Sequence, residues 1–268
     1  MTVKRVISAL FLIGLSVISI LVNWVFAVLV IILTVFGLYE FFTLVERKGI
    51  QIYKYFGIVI GLIIPLSIYF KFELTKSWEL LFIVAALLII FLLQFTRREN
   101  KGAIEGVSTT LFGILYIAWF SSFLIKIKLL PGGAWLVAAL LLITKSGDIG
   151  AYLIGTKYGR HSLIARISPQ KSIEGAVGGI IFSVLAALAS KVFIPGFSYL
   201  HLVLLGVGLG ILGQLGDLSE SLIKRDCHIK DSGHIFPGMG GVLDIIDSLL
   251  FTAPVFYFLM SVFIDKAL

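Results

Sequence analysis

Long apolar runs alternate with short polar connections along almost the whole chain. Runs of about 18 or more residues, the length an α-helix needs to cross a ~30 Å hydrocarbon core, lie near 6–22, 24–45, 55–72, 78–96, 107–125, 133–154, 173–194, 199–223 and 243–264. The pattern predicts an all-α integral membrane protein with about nine transmembrane helices. The first run has Lys4 and Arg5 before it and Val25-Phe26-Ala27 after it, as a signal peptide would. Trp24 and Phe26 crowd that cleavage site and a second span follows at once, so the run is read as a span.

Composition points the same way. The chain is 59% hydrophobic and 14% charged, with a mean hydropathy of +1.07; soluble domains carry roughly 25% charged residues, so a water-soluble fold is excluded. The lone Cys227 excludes an intrachain disulfide and the Cys-rich zinc and iron–sulfur sites. Lys and Arg total 22 against 15 Asp and Glu, a net charge of +7. That excess is read as topology and contact with anionic lipid rather than nucleic-acid binding, because no basic run is long enough to track a duplex. Given nine spans, fifteen Lys and Arg fall on one side and six on the other, with Lys145 inside a span. By the positive-inside rule the amino terminus is cytoplasmic and the carboxyl terminus external.

The two halves differ in kind. Residues 1–140 read as membrane scaffold, with almost no ionisable residue at depth, whereas 141–268 carry Lys145, Asp148, Asp217, Glu220, Asp244 and Asp247 in or beside apolar helices. A charge inside a span costs about 2.5–3.5 kcal/mol on insertion scales, so the second half is expected to hold an active site at its cytoplasmic face. Lys145, Asp148 and Tyr152 share one helical stripe, as an internal ion pair or as the wall of a polar pocket. In the basic connection 155–174, Ser172 suits a helix N-cap, and the amides behind it, with Lys171 alongside, suit a phosphate; the alternative is a solvated basic loop that only obeys the positive-inside rule. Asp217, Glu220, Ser221 and Lys224 share a face, where amphipathic exit from the bilayer accounts for Glu220 and Lys224 better than for Asp217. Gly238, Gly240 and Gly241 lead into a helix bearing Asp244 and Asp247 at i, i+3. Two carboxylates so spaced repel and tend to share a proton unless a cation lies between them, and oxygen-only ligands favour a hard ion such as magnesium; the other reading is a polar cap, with Asp favoured at a helix N-terminus.

The segment Ser221 to Ser248, with Lys230-Asp231, Pro237-Gly238, Gly240-Gly241, Asp244 and Asp247, closely resembles the signature of bacterial phosphatidate cytidylyltransferases, the CDP-diacylglycerol synthases. GDIGAYLIGTKYGRH and SPQKSIEG upstream are similar to that family's middle motifs, and the likeness covers residues 140–252. Met239 stands where the family usually has His, and Ile245 where it usually has Arg. The resemblance implies CTP and phosphatidate as substrates, CDP-diacylglycerol and pyrophosphate as products, and a multi-pass protein of the bacterial inner membrane. It implies Mg2+, with room for a second cation, held by Asp217, Asp231, Asp244 and Asp247. Catalysis would fall to Asp217, Asp244, Asp247, Lys224 and Arg225. Substrate contacts would come from Lys171, Ser172, Glu174, Ser221, Lys230, Asp148, Gly240 and Gly241. A homodimer is compatible with this reading. A cation-coupled transporter using Asp148 and Asp217 is the alternative, but it gives no reason for a basic, glycine-bearing signature. The spaced pattern of the CDP-alcohol phosphotransferases is absent.

Overall fold

A computed structural model describes residues 3–72, 78–97, 100–229, 232–233 and 240–267. Its architecture is that of an all-helical multi-pass membrane protein. Among the described residues the helices are α1 (Val3–Leu21), α2 (Asn23–Arg47), α3 (Lys54–Tyr69), α4 (Trp78–Phe95), α5 (Ala103–Leu129), α6 (Gly133–Tyr158), α7 (Ile173–Ala189), α8 (Tyr199–Asp226) and α9 (Leu243–Ala267). Six of them, α2 and α5 to α9, are long and apolar enough to cross a bilayer. The runs at 6–22, 55–72 and 78–96 correspond to shorter apolar helices, Phe11–Leu21, Lys54–Tyr69 and Leu80–Phe95. The third helix stops early because Lys71 adopts φ of 50°, outside the right-handed helical region.

Two features break the plain helical pattern. Ile114–Trp119 forms a π turn inside α5. The basic connection between α6 and α7 closes into an antiparallel hairpin, β1 (Ser162–Ile164) with β2 (Ser168–Ser172), pairing Ser162 with Ser172 and Ile164 with Ser168.

The chain divides into two units. The first comprises Met1–Lys126 and Cys227–Ile245, the second Ile127–Asp226 and Ile246–Leu268. In the first unit α2, α3 and α5 bury Leu38, Phe41, Phe42, Ile64, Ile114 and Ile117. Thr34 and Ser121 hydroxyls meet there at 2.7 Å, which satisfies both inside the apolar packing. One acid departs from the expectation of an uncharged scaffold: Glu40, in α2, is only 5% exposed.

The second unit is built on backbones that approach closely. A Cβ on Gly206 would lie 2.6 Å from Val184 Cα, and one on Gly175 would lie 3.0 Å from Gly155 Cα. Small residues allow such contact between helices where no hydrophobic force separates protein from lipid. A Cβ on Gly216 would strike the carbonyl of Asp247 and lie 3.2 Å from Ser248 Cα. Glycine at 216 thus lets α8 and α9 touch beside two acids, Asp217 and Asp247.

Candidate active site

Helices α6, α7 and α8 and the hairpin form an open-mouthed cavity of about 270 Å3, lined by Asp148, Tyr152, Gln170, Lys171, Ser172, Gly175, Gln214 and Asp217 among others. The sequence explains each wall. Asp148 and Tyr152 come from one stripe of α6. Ser172 caps α7, its side-chain oxygen accepting from Gly175 N at 3.1 Å while its backbone stays extended. Glu174, in the first turn of α7, folds back to the start of the hairpin. Its Oε2 accepts from Arg160 N at 3.0 Å and His161 N at 3.3 Å, and its Oε1 meets His161 Nδ1 at 2.6 Å. The hairpin that presents Lys171 is therefore tied to the helix it precedes.

Lys171 Nζ lies 2.7 Å from Asp217 Oδ1 and 3.5 Å from Ser221 Oγ. Asp217 is the accessible member of a cluster of three acids. Asp217, Glu220 and Asp247 can each offer an oxygen within 4.8 Å of the others. Glu220 is fully buried and Asp247 is 7% exposed. Carboxylates so close and so far from water repel, and the arrangement needs positive charge. Three residues supply it in this unit. Lys171 pairs with Asp217 and Lys224 with Glu220, one turn further along α8. Lys145 Nζ donates to Asp148 Oδ2 and to Ser248 Oγ, both at 2.9 Å, and Ser248 Oγ donates to Asp148 Oδ2 at 3.0 Å. Lys145 and Asp148 thus form an ion pair, and Asp148 also lines the cavity.

The other sequence candidates have different surroundings. Arg225 Nε donates to Ile167 O at 3.2 Å, which ties the end of α8 to the hairpin turn. Asp244 is in the first unit and is not a member of the three-acid cluster. Its Oδ2 accepts from Ser232 Oγ at 2.6 Å, Gly241 N at 2.7 Å and Ser232 N at 3.2 Å. Gly240 takes φ of 97°, a conformation that glycine adopts without strain. Gly241 is buried. Lys230, Asp231 and Met239 lie outside the described residues. Ile245 is half-buried, its amide bonded to Val242 O at 3.0 Å.

Sequence reasoning passed over Glu220 and Ser248 as site residues. Glu220 carried a signal, its place three residues after Asp217 on one face, but its spacing also fits a helix leaving the bilayer.

The donor set suits a divalent cation. Three carboxylates offer hard oxygen ligands, and burial of Glu220 and Asp247 gives them little water to lose on coordination.

A family model described as the cytidylyltransferase family matches residues 3–263. Among curated proteins, a phosphatidate cytidylyltransferase of Synechocystis is 33% identical over 288 aligned residues, covering 96% of both chains. A phosphatidate cytidylyltransferase of Bacillus subtilis is 38% identical over 184 residues, 67% of this chain and 68% of that one. The uncharacterized Escherichia coli protein YnbB is 40% identical over 187 residues, 67% of this chain and 62% of its own length.

Proposed function

Because the chain belongs to the cytidylyltransferase family and is a nucleotidyltransferase, we propose that it joins CTP to phosphatidate at the cavity beside Asp217, Glu220 and Asp247. The products are CDP-diacylglycerol and pyrophosphate. A phosphate oxygen of phosphatidate attacks the α-phosphorus of CTP in line, forming a new P–O bond as the bond to the leaving pyrophosphate breaks. The attacking phosphomonoester has a second pKa near 6 and is largely ionised at neutral pH, so no general base is required. The work left to the protein is to align two anions and offset their charge.

Asp217, Glu220 and Asp247 would hold a divalent cation, magnesium by the hardness of their oxygens. When bound there, such a cation supplies positive charge against the phosphates and the departing pyrophosphate. Lys171 faces the cavity from the hairpin and receives the triphosphate; the amides at the start of α7 are already engaged, Ile173 N by His161 O at 2.9 Å and Gly175 N by Ser172 Oγ, so they add no phosphate cradle. Arg225 and Glu174 hold the hairpin in place. Asp244, Lys230 and Asp231 keep the roles the resemblance gives them, cation and phosphate contact, and the hydrogen bonds from Ser232 and Gly241 to Asp244 Oδ2 fix the direction of that carboxylate. Residues after 140 carry this chemistry, with the amino-terminal helices as scaffold.

The observation that carries the reading is the packing of three carboxylates beside a cavity with a lysine at its rim. Its test is purified protein supplied with CTP, phosphatidate and magnesium. Pyrophosphate release that needs all three and stops on adding chelator supports it; release without phosphatidate, or none, sinks it.

Two expected results follow. Lys171→Ala raises the CTP concentration needed for half-maximal rate by about tenfold, and the phosphatidate requirement by much less. Equal effects on both substrates would reduce the hairpin to general electrostatics. The orientation read from the charge split, in the bacterial inner membrane with anionic lipid at the cytoplasmic face, puts a reporter fused after residue 230 in the cytoplasm and one at the carboxyl terminus outside. Finding both on one side would rule out nine spans.

A further inference from the structure

Glu40 takes no part in the chemistry above, yet its carboxylate is spent on the signature segment. It belongs to α2, an apolar helix, and lies 192 residues before Ser232 and 203 before Leu243. Glu40 Oε1 accepts from Val242 N at 3.0 Å. Its Oε2 accepts from Leu243 N at 2.9 Å and from Ser232 Oγ at 3.2 Å. Val242 and Leu243 stand at the start of α9, where backbone amides have no acceptor within the helix. A carboxylate there satisfies them and meets the positive end of the helix dipole.

The fit is close as well as polar. A Cβ on Gly241 would lie 2.5 Å from both Glu40 oxygens, and one on Gly233 would lie 3.0 Å from Glu40 Cδ. The loop backbone thus lies against the carboxylate with no room for a side chain between them. Ser232 links this acid to a second one, since its hydroxyl stands between Glu40 Oε2 and Asp244 Oδ2, which it meets at 2.6 Å. One hydroxyl carries one proton, so Ser232 donates to one of the two acids at a time, and its contact with Asp244 is the shorter. Gly241 N, bonded to Asp244, and Val242 N, bonded to Glu40, are consecutive amides of the same turn.

We infer that Glu40 is a positioning residue for the cytidylyl transfer: from another helix it holds the amides of Val242 and Leu243 and the hydroxyl of Ser232, and with them the turn that orients Asp244. This rests on the proposed function in that the held segment must take part in the reaction. Glu40 itself touches neither substrate.

Glu40→Gln tests it in the full-length protein in detergent, because glutamine keeps the shape but leaves one acceptor oxygen in place of two. The expected result is amide hydrogen exchange about tenfold faster at Val242 and Leu243, with exchange in the rest of α2 and in α3 unchanged. In the same preparation kcat falls about tenfold while KM for CTP stays within about twofold. Glu40→Asp, which keeps the charge, recovers part of the exchange protection and part of kcat. Unchanged exchange at Val242 and Leu243 overturns the inference. So does a uniform rise across α2, α3 and α5 with activity lost in proportion to unfolding, since that marks a residue needed only for packing. Local exchange that rises while kcat holds also overturns it. If exchange rises locally but the unaltered protein releases no pyrophosphate from CTP and phosphatidate, the proposed function fails and the backbone clamp by Glu40 stands.

Discussion

Asp247→Asn is expected to slow CTP-dependent pyrophosphate release by about a thousandfold, roughly 4 kcal/mol of barrier, with the fold intact. Asparagine matches aspartate in shape, and its side-chain oxygen can still accept from Ser248 N, which the Asp247 carboxylate does at 2.5 Å. The buried geometry therefore survives, and what disappears is one negative ligand of the three that Asp217, Glu220 and Asp247 offer together. The substitution separates structure from chemistry for that reason. Helix content and the thermal midpoint in detergent remain near those of the unaltered protein. Binding of manganese, followed by its paramagnetic resonance as a stand-in for magnesium, weakens by tenfold or more. A variant that unfolds, or that binds manganese as before, would make Asp247 a structural acid and remove the basis for the metal assignment.

The second large effect is expected at Lys145. Its ammonium closes a triangle with Asp148 and Ser248, all three edges being hydrogen bonds of 2.9 to 3.0 Å. Lys145→Met deletes the one cation in that triangle and leaves Asp148 uncompensated. Losing one partner of a fully buried pair costs about 3–5 kcal/mol. Here the two side chains are 38% and 37% exposed, so a smaller loss of about 2 kcal/mol is expected. Activity falls about a hundredfold, because Asp148 also lines the cavity. The double variant Lys145→Met with Asp148→Asn removes both charges and regains most of the thermal midpoint but not the activity. A single variant as stable as the parent would show that water already neutralises Asp148.

Much of this organisation was legible in the chain because its causes are local. Apolar length alone located the helices, and the spacing of Asp217, Ser221 and Lys224 put them on one face of α8. Ser172 announced its cap, since an N-cap needs only its own side chain and the amide three residues on. The illegible parts depend on distant partners. Glu40 reads as a stray acid near the end of an apolar run, and nothing within α2 tells that its acceptors serve amides some 200 residues later. Asp244 and Asp247 read as one pair at i, i+3, yet Gly241 and Ser232 occupy the first while the second joins Asp217 and Glu220. Helical spacing fixes where a side chain leaves the backbone, not which neighbour reaches it first. The hairpin at 162–172 escaped notice because its strands of three and five residues are too short and polar to show an alternation.

The glycine contacts of the second unit also bear on heat. Where Gly206 meets Val184 and Gly216 meets Asp247, backbone lies against backbone with no rotatable side chain between. A contact of that kind gives up no side-chain rotamer entropy when the helices assemble. Its spacing also has no alternative rotamers to populate on warming, unlike an interface of leucine or methionine. The separation of α8 and α9 at the acids is consequently fixed by the thickness of two main chains, and thermal disorder enters the cluster through the carboxylates and lysines themselves.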